Sequence, residues 1–355
     1  MSLDGRKDQV HTHRHALDLS LRLPFLPAPY DVREVMVVGI PCSSGKIFWG
    51  EVAPLPGFSR ESLDDAEREL QDVLPRMPAL DHCVLTDISL WDSYFATIRS
   101  PSLRCGLESA LLDYLISHDQ WALAHIRQER IHSNALIMGA GEDELVERII
   151  EAHRRGFCSV KIKVTPESWR GTISAIERSL REVETDISFR LDGNRTLSCR
   201  EFVDLAKEGA GLPIQYIEEP LHDIRDIPRL SHSVPLAIAL DETAREIGRD
   251  QWSTWNIRHI IMKPSLQGGW LSLGKDIRTL QGDGIAVTLS SSFESGMGLR
   301  SIVLMAALQE FSSPIGVDTA SFIERDIIVP RFPVLSPVLD VEMIRRCTYA
   351  PGASP

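Results

Sequence analysis

The length, composition and charge of the chain exclude several classes of protein. Its 355 residues exceed the usual size of one domain, so we expect one large domain of about 200 residues and a smaller one. Hydrophobic residues at 43% and charged residues at 25% are typical of a globular protein rather than of a disordered chain or a coiled coil. The net charge of −12 repels phosphate backbones and anionic lipids, so neither nucleic acid nor a membrane is an expected partner.

The N-terminal segment and the cysteines suggest a cytoplasmic protein. The first residues are polar and lack the apolar core of a signal peptide, and no apolar run is long enough to span a membrane. Six scattered cysteines contain no CxxC pair, so we expect reduced thiols in the cytoplasm. We interpret the alternating His11, His13 and His15 as part of an exposed polar stretch and give them no functional role.

A small α+β domain is predicted at the start of the chain, over residues 1–124. Two strands at 34–40 and 46–51 precede helical patterns at 62–73 and 107–116. The segment 320–355 is expected to return and pack on this domain. We predict no further helix there, because Pro330, Pro333 and Pro337 interrupt it.

From residue 132 onward, short β-rich runs alternate with helical patterns, which indicates βα units around a parallel sheet. Helices are predicted at 142–155 and 298–311. Because no GxGxxG turn opens the series, we favour a (β/α) barrel at 125–319 over an open doubly wound sheet. The eight predicted strands cover residues 134–138, 159–164, 188–192, 215–218, 236–241, 259–263, 286–292 and 314–318.

Charged residues occupy the ends of five consecutive predicted strands. In a barrel these ends meet at one mouth, where active sites are built. Residues two apart on a strand face the same side, so both lysines of the second strand point the same way. The residues are Lys161 and Lys163 in VKIKV, Asp192 in RLDGN, Glu218 in YIEEP, Asp241 in ALDET and Lys263 in IIMKP.

Three of these strand ends carry a carboxylate side chain, and carboxylates repel one another in a poorly solvated site. A divalent cation resolves that conflict, and oxygen ligands without His or Cys suit Mg²⁺. We therefore predict that Asp192, Glu218 and Asp241 bind Mg²⁺. Glu219 and Glu242 adjoin two of these ligands and are expected to face away from the metal, in structural roles.

At these residues the sequence resembles the enolase superfamily, specifically its muconate-lactonising subgroup with a KxK motif, and within it the o-succinylbenzoate synthases. VKIKV, LDGN, IEEP, LDET, MKP and SSSFESGMGL occur in family order. Residues 50–59 resemble the capping-domain loop that closes over the barrel mouth, and residues 101–111 resemble the segment leading into the barrel. The resemblance implies an α/β fold: a modified (β/α)8-type barrel, (β/α)7β, with an N-terminal α+β capping domain.

The resemblance also implies a reaction and roles for the lysines. The reaction is the Mg²⁺-dependent dehydration of 2-succinyl-6-hydroxy-2,4-cyclohexadiene-1-carboxylate to o-succinylbenzoate, through an enediolate, in menaquinone synthesis. Lys163 is expected to move the proton and Lys161 to give electrostatic support. Lys263, across the barrel, would stabilise charge in a synthase and would be a second acid/base in a racemase. The net positive charge of the mouth with its metal favours a small carboxylate substrate.

Four further residues are candidates for substrate binding. The resemblance places Ser290 and Gly316 near the succinyl carboxylate and Arg190 near the site, while Asn194 is expected to orient a metal-bound water. Alternatives remain open. The nearest is an N-succinylamino-acid racemase or dipeptide epimerase, followed by a muconate-type cycloisomerase, a metal-free Schiff-base lyase using Lys163, and a non-catalytic scaffold.

Overall fold

The structure of the protein, a computed structural model, describes residues 10–23, 26–80, 88–118, 125–183 and 187–350. An antiparallel sheet opens the chain, with strands β1 (His11–Asp18), β2 (Val32–Pro41) and β3 (Ile47–Val52) in that order. Its apolar side chains pack on helices α1 (Leu63–Val73), α2 (Ile88–Phe95) and α3 (Pro101–Ile116). This part has the predicted α+β character.

Strand β1 was not predicted from the sequence. It pairs with β2 over its whole length, although most of its residues are exposed. A strand exposed on both faces shows no alternation of polar and apolar residues, which is the pattern that identifies strands. The predicted exposure of His11 and His13 is confirmed, but the segment that carries them forms a regular strand.

The local sequence explains where helix α1 begins. Ser62 accepts a hydrogen bond from the backbone N–H of Asp65 (3.1 Å), and the Asp65 carboxylate accepts one from the Ser62 N–H (3.0 Å). This reciprocal pair is a capping box, which satisfies backbone donors at a helix start.

Strand β3 and helix α3 pack closely in this part of the chain. A Cβ at Gly50 of β3 would lie 1.9 Å from the Gly106 carbonyl oxygen of α3.

Seven parallel strands form the wall of the barrel, in the spatial order β11-β10-β9-β8-β7-β6-β5. They follow a short strand β4 (Arg130–His132). The seven are β5 (Ala135–Ile137), β6 (Ser159–Lys163), β7 (Ser188–Asp192), β8 (Ile214–Glu218), β9 (Ile238–Leu240), β10 (His259–Met262) and β11 (Ala286–Leu289).

Helices connect these strands and cover the barrel, and apolar side chains fill the space between the two layers. The described helices include none that is both long and apolar enough to cross a membrane. The connecting helices are α4 (Glu142–Arg154), α5 (Trp169–Ser179), α6 (Cys199–Glu208), α7 (Ile227–Leu230), α8 (Glu242–Glu246), α9 (Arg249–Thr254), α10 (Pro264–Gln267), α11 (Trp270–Gly282) and α12 (Gly296–Leu308).

The barrel is closed by a segment that is not a regular strand. Ile315 forms an isolated bridge to Ser133, and Gly316 forms one to Ser290. Pro314 has no N–H to donate, and a 3-10 turn begins at Asp318, so only two residues between them pair. The α/β barrel class is confirmed, and the prediction of a regular eighth strand at 314–318 is wrong.

The C-terminal segment lies against the N-terminal sheet. The Ser20 N–H donates to the Phe322 carbonyl oxygen (2.8 Å), and the rings of Trp49 and Tyr349 lie 4.5 Å apart. The segment holds strands β12 (Ile328–Val329), β13 (Val338–Asp340) and β14 (Thr348–Tyr349), with β13 paired to β4.

Contrary to prediction, this segment also contains a helix, α13 (Val341–Arg346). The Asp340 side chain caps its start by accepting from the Met343 N–H (2.9 Å). The three prolines that argued against a helix all precede it in the sequence, so none of them interrupts its hydrogen bonds.

Candidate active site

A cleft at the C-terminal ends of the barrel strands brings together nearly all of the predicted site residues. Its enclosed volume is about 80 Å³. Loops from the N-terminal domain and from the closing segment complete its walls. The predicted residues that line it are Lys161, Lys163, Asp192, Asn194, Glu218, Asp241, Lys263, Ser290 and Gly316.

The register of the strands explains this convergence. Lys163 of β6 is the Cα partner of Asp192 in β7, which is in turn the partner of Glu218 in β8. Asp241 and Lys263 follow directly after β9 and β10. Because these five strands are consecutive in the sheet, one charged residue from each reaches the same end of the barrel.

The three carboxylates are buried and are compensated by two ammonium groups. Asp192 is 7% exposed, and Glu218 and Asp241 are each 2% exposed. Lys161 Nζ lies 2.7 Å from Glu218 Oε2 and 3.0 Å from Asp192 Oδ2, and Lys263 Nζ contacts Asp241 Oδ2. Buried charges of one sign are stable only with such partners.

These contacts shift the pKa values of the charged groups. Burial raises the pKa of Glu218; Lys161 opposes that shift, and Asp192 and Asp241 add to it. Burial would lower the pKa of Lys161, but the charges of Asp192 and Glu218 raise it well above its usual value. A proton between Lys161 and Glu218 could lie on either group. We place it on Lys161, because two carboxylates stabilise the ammonium form of this side chain. Lys161 is therefore a cation at neutral pH and a poor base.

Lys163 has a different environment from Lys161. Its Nζ donates to the Asn194 side-chain oxygen at 2.6 Å, and within the described ranges it forms no ion pair. Asn194 in turn is placed by its own backbone N–H, which donates to Asp192 Oδ1 (3.1 Å). Three strands separate β6 from β10, so Lys163 and Lys263 enter the cleft from different sides.

The donor set fits a divalent cation in its chemistry. Asp192, Glu218 and Asp241 supply only carboxylate oxygens, which are the ligands that Mg²⁺ prefers. In the conformation described, no three acidic, His or Cys side chains of the described residues gather closely enough to form a complete metal cluster. The reason is visible in the ion pairs, since Lys161 lies between two of the carboxylates and Lys263 holds the third.

Arg190 is the predicted site residue that does not line the cleft. Its side chain is fully buried and donates to Gln215 Oε1 (2.8 Å), to the Pro314 carbonyl oxygen (2.7 Å) and to Asn134 Oδ1 (3.1 Å). Being two residues before Asp192, it shares a face with that residue but lies deeper in the barrel. Arg190 thus supports the cleft residue Asn134, and we do not propose that it contacts substrate.

The cleft also contains residues that the sequence did not single out. Asn134 and Leu136 lie at the first barrel strand, whose end carries no charge to attract attention, and Phe293 follows the serines of 290–292. Leu55 and Phe58 come from the predicted capping loop. The Phe58 carbonyl oxygen accepts a hydrogen bond from Arg245 Nη1 of helix α8 (3.0 Å), which ties this loop to the barrel.

Comparison with protein-family models gives two matches that together span most of the chain. Residues 144–334 match the family "Enolase C-terminal domain-like", and residues 9–113 match "MenC, N-terminal domain". The two matches correspond in position to the barrel and to the α+β part.

Three of the curated proteins that are similar in sequence illustrate the relationship. The o-succinylbenzoate synthase of Pasteurella multocida is 26% identical over 346 residues, covering 95% of this chain and 96% of the relative. That of Desulfotalea psychrophila is 30% identical over 305 residues, covering 76% and 82%. Protein PHYLLO of Arabidopsis thaliana is 28% identical over 316 residues, covering 79% of this chain but only 18% of that much longer protein.

Two solved structures illustrate the structural similarity. MenC from Desulfotalea psychrophila superposes with a TM-score of 0.74 at 25% identity, over 91% of this chain and 98% of that one. A dipeptide epimerase from Enterococcus faecalis, complexed with Mg and the dipeptide L-Leu-L-Tyr, gives a TM-score of 0.80 at 17% identity, over 94% and 96%. The second likeness concerns the fold alone.

Proposed function

The chain is an enzyme of the enolase superfamily, related to lyases, and we propose that it dehydrates 2-succinyl-6-hydroxy-2,4-cyclohexadiene-1-carboxylate to o-succinylbenzoate. This reaction removes a proton from the carbon that carries the carboxylate and expels the ring hydroxyl as water, which leaves an aromatic ring. The relatives from Pasteurella and Desulfotalea and the MenC-type N-terminal part support this choice over other reactions of the superfamily.

The observation that carries the proposal is the pairing of two unlike lysines in one cleft. Lys161 is fixed as a cation between buried carboxylates, whereas Lys163, two residues away, donates among the described residues to a neutral amide alone. A residue that carries a proton must be free to lose and regain it, so its side chain should not be locked in an ion pair. A residue that stabilises negative charge should stay cationic, which an ion pair ensures. The cleft supplies both from one strand, β6.

Asp192, Glu218 and Asp241 are the residues that would hold a divalent cation such as Mg²⁺. When bound, such a cation would act as a Lewis acid toward the substrate carboxylate and lower the cost of negative charge next to it. The burial of all three carboxylates at adjacent strand ends is what makes this assignment reasonable.

In the proposed reaction, Lys163 takes the proton from the carbon next to the carboxylate and then gives it to the departing hydroxyl. One residue can do both if proton and hydroxyl leave from the same face of the ring. Lys161 and Lys263 remain cationic and stabilise the negative charge that develops between these steps. Ser290 and Gly316 line the cleft where the succinyl chain would lie.

The test is a direct assay of the purified protein with the succinyl-hydroxy-cyclohexadiene acid and Mg²⁺, following formation of the aromatic product by its ultraviolet absorbance. Wild-type protein is expected to turn over, and Lys163→Ala is expected to lose at least about 100-fold of the dehydration rate. Full activity after treatment with a chelator would contradict the metal site, and absence of product with the wild type would contradict the proposed substrate.

A second candidate is racemisation or epimerisation of N-succinylamino acids or dipeptides. Lys263 favours it, because a racemase needs acid/base groups on both faces of the substrate and Lys163 and Lys263 enter from different sides. Incubation of N-succinylamino acids in D₂O separates the two cases. Deuterium incorporation with inversion that is lost in Lys263→Ala would identify a racemase, whereas a dehydratase would retain some dehydration in that variant.

A further inference from the structure

Glu219 follows the proposed metal ligand Glu218 but makes a separate set of contacts. It is 1% exposed, and its carboxylate accepts four hydrogen bonds. Oε1 accepts from the backbone N–H groups of Asp241 and Thr243, both at 2.8 Å. Oε2 accepts from Thr243 Oγ1 (2.6 Å) and from Arg195 Nε (3.0 Å). One side chain from the loop after β8 thus fixes the backbone that carries Asp241.

Arg195 is the other half of this arrangement. Besides Glu219, its guanidinium donates to Thr243 Oγ1 (2.7 Å) and to Glu246 Oε1 (2.8 Å). Its backbone N–H donates to the Glu219 carbonyl oxygen (2.6 Å). We call this pair, the buried Glu219 and the partly exposed Arg195, the brace. It joins the loops that follow strands β7, β8 and β9.

The backbone at the brace is in a conformation that needs outside support. Asn194, Arg195 and Glu219 have φ values of 44°, 58° and 39°, in the left-handed region that non-glycine residues seldom adopt. Such conformations persist where surrounding contacts hold them, and they cluster at functional sites. Here the contacts of the brace hold Arg195 and Glu219, and Asn194, which precedes Arg195, has its own hydrogen bonds with Asp192 and Lys163.

The loops joined by the brace are those that carry the proposed ligands. Asp192 lies three residues before Arg195, Glu218 one residue before Glu219, and Asp241 donates its N–H to the brace itself. Asn194, which directly precedes Arg195, accepts the hydrogen bond from Lys163. The brace is therefore placed to set the spacing of all three carboxylates and of the amide that holds Lys163.

We propose that Arg195 and Glu219 are positioning residues for the metal site, acting through the backbone of Asp241 and through Asn194 rather than by touching metal or substrate. This inference rests on the proposed metal site. Mutation of residues that hydrogen-bond to metal ligands without touching the metal typically lowers metal affinity by about 10- to 100-fold.

The test is titration calorimetry with Mg²⁺ on wild type, Glu219→Gln and Glu219→Ala, with the melting temperature of each measured without metal. In Glu219→Gln the retained oxygen can still accept from the Asp241 and Thr243 N–H groups, but the amide nitrogen faces the Arg195 donor. We expect Mg²⁺ to bind about 10-fold more weakly in this variant and about 100-fold more weakly in Glu219→Ala. Activity should return when Mg²⁺ is raised by the same factor.

A matched control is Asp113→Asn, which breaks the ion pair between Asp113 and Arg300 (2.7 Å). Arg300 is almost fully buried, but it contacts helix α13 rather than the cleft. Asp113→Asn should lower the melting temperature and leave Mg²⁺ affinity within twofold of wild type. If Glu219→Gln behaves in the same way, the brace is only structural and the inference is overturned. Should Glu219→Ala fail to fold, Glu219→Gln decides the question.

The outcome for the proposed function is read separately. A wild type that binds Mg²⁺ but makes no o-succinylbenzoate overturns that function, while weaker Mg²⁺ binding by the Glu219 variants would still support the brace. A wild type that makes the product, together with unchanged Mg²⁺ affinity in Glu219→Gln, overturns the brace alone.

Discussion

Lys161 and Lys163 have the same chemical group on the same strand, and the structure gives them different partners. Asp192 and Glu218 neutralise Lys161, whereas Asn194 accepts a hydrogen bond from Lys163. The sequence shows the two lysines and their common direction, but it does not show which of them lies between carboxylates. That distinction depends on the register of β6 against β7 and β8.

Replacing Lys163 with Gln should lower kcat by about 10²- to 10⁴-fold, because positioned proton transfer contributes that much. The amide can still contact Asn194, so KM should change little. Steady-state kinetics with the succinyl-hydroxy-cyclohexadiene acid measures both constants. Lys207→Gln, at an exposed position of helix α6, serves as a control and should keep wild-type values. A kcat within tenfold of wild type in Lys163→Gln would remove Lys163 from the proton-transfer role.

Glu51 is a buried carboxylate that joins the N-terminal domain to the barrel. It accepts from the N–H groups of Ser295 (3.0 Å) and Gly298 (2.9 Å) at the start of helix α12. Burial raises its pKa to about 7, although these hydrogen bonds oppose the shift. Between pH 4.5 and 7 the folded protein thus holds this proton more tightly than the unfolded chain does.

The free energy of unfolding should therefore fall as pH rises through this window, by up to about 3 kcal/mol from Glu51. Urea unfolding at pH 5, 6, 7 and 8 measures the slope. In Glu51→Gln, which cannot ionise, this part of the slope should vanish. Asp326→Asn, which alters another carboxylate at the same helix start, should retain it. Equal slopes in wild type and Glu51→Gln would contradict the prediction.

At the scale of elements, the barrel strands were predictable and the irregular pieces were not. Buried parallel strands that end in charged residues stand out as apolar runs, and β6, β7 and β8 lie within about a residue of their predicted positions. Strand β1 lacks a buried face, and the closing segment at Ile315 and Gly316 pairs through isolated bridges only. Both depend on tertiary contacts that leave no local pattern.

The site shows the same division. Charge at a strand end was enough to predict that Asp192, Glu218, Asp241 and the lysines lie in one cleft, because the fold itself brings those ends together. Arg190 was placed near the site by the resemblance; its side chain is fully buried and does not line the cleft, because position along the barrel axis decides whether a side chain reaches the mouth. Charge at a strand end also gave no indication of Phe293, in the loop after β11, or of Leu136, in β5, which are apolar and line the cleft.

The contact between strand β3 and helix α3 leaves no room for a side chain at Gly50. A Cβ there would lie 1.9 Å from the Gly106 carbonyl oxygen, so Gly50→Ala must separate two backbones. We expect a loss of about 3 kcal/mol in the free energy of unfolding, the upper end of the usual cost of overpacking. Gly282→Ala in helix α11, where nothing lies within 4 Å of the added Cβ, should be neutral or slightly stabilising. Chemical denaturation of both variants tests the comparison.

At the scale of the whole molecule, binding of a metal at the cleft should stabilise the fold, because the three ligands come from separate strands. A ligand that binds only the folded state at 100 times its Kd adds about 2.7 kcal/mol. Scanning calorimetry with and without Mg²⁺ should show a rise in Tm for wild type. Asp192→Asn should show a much smaller rise, and an equal rise in both proteins would place the stabilising ion elsewhere.

The volume of the cleft has a kinetic consequence. About 80 Å³ is well below the roughly 300–1,000 Å³ of typical ligand pockets, so the described conformation leaves little room for a substrate with a six-membered ring and a succinyl chain. We expect entry to involve an outward movement of the loop with Leu55 and Phe58, which would break the hydrogen bond from Arg245. Association is then gated: its observed rate is the diffusional rate multiplied by the fraction of time that the loop is open, and product escapes through the same gate.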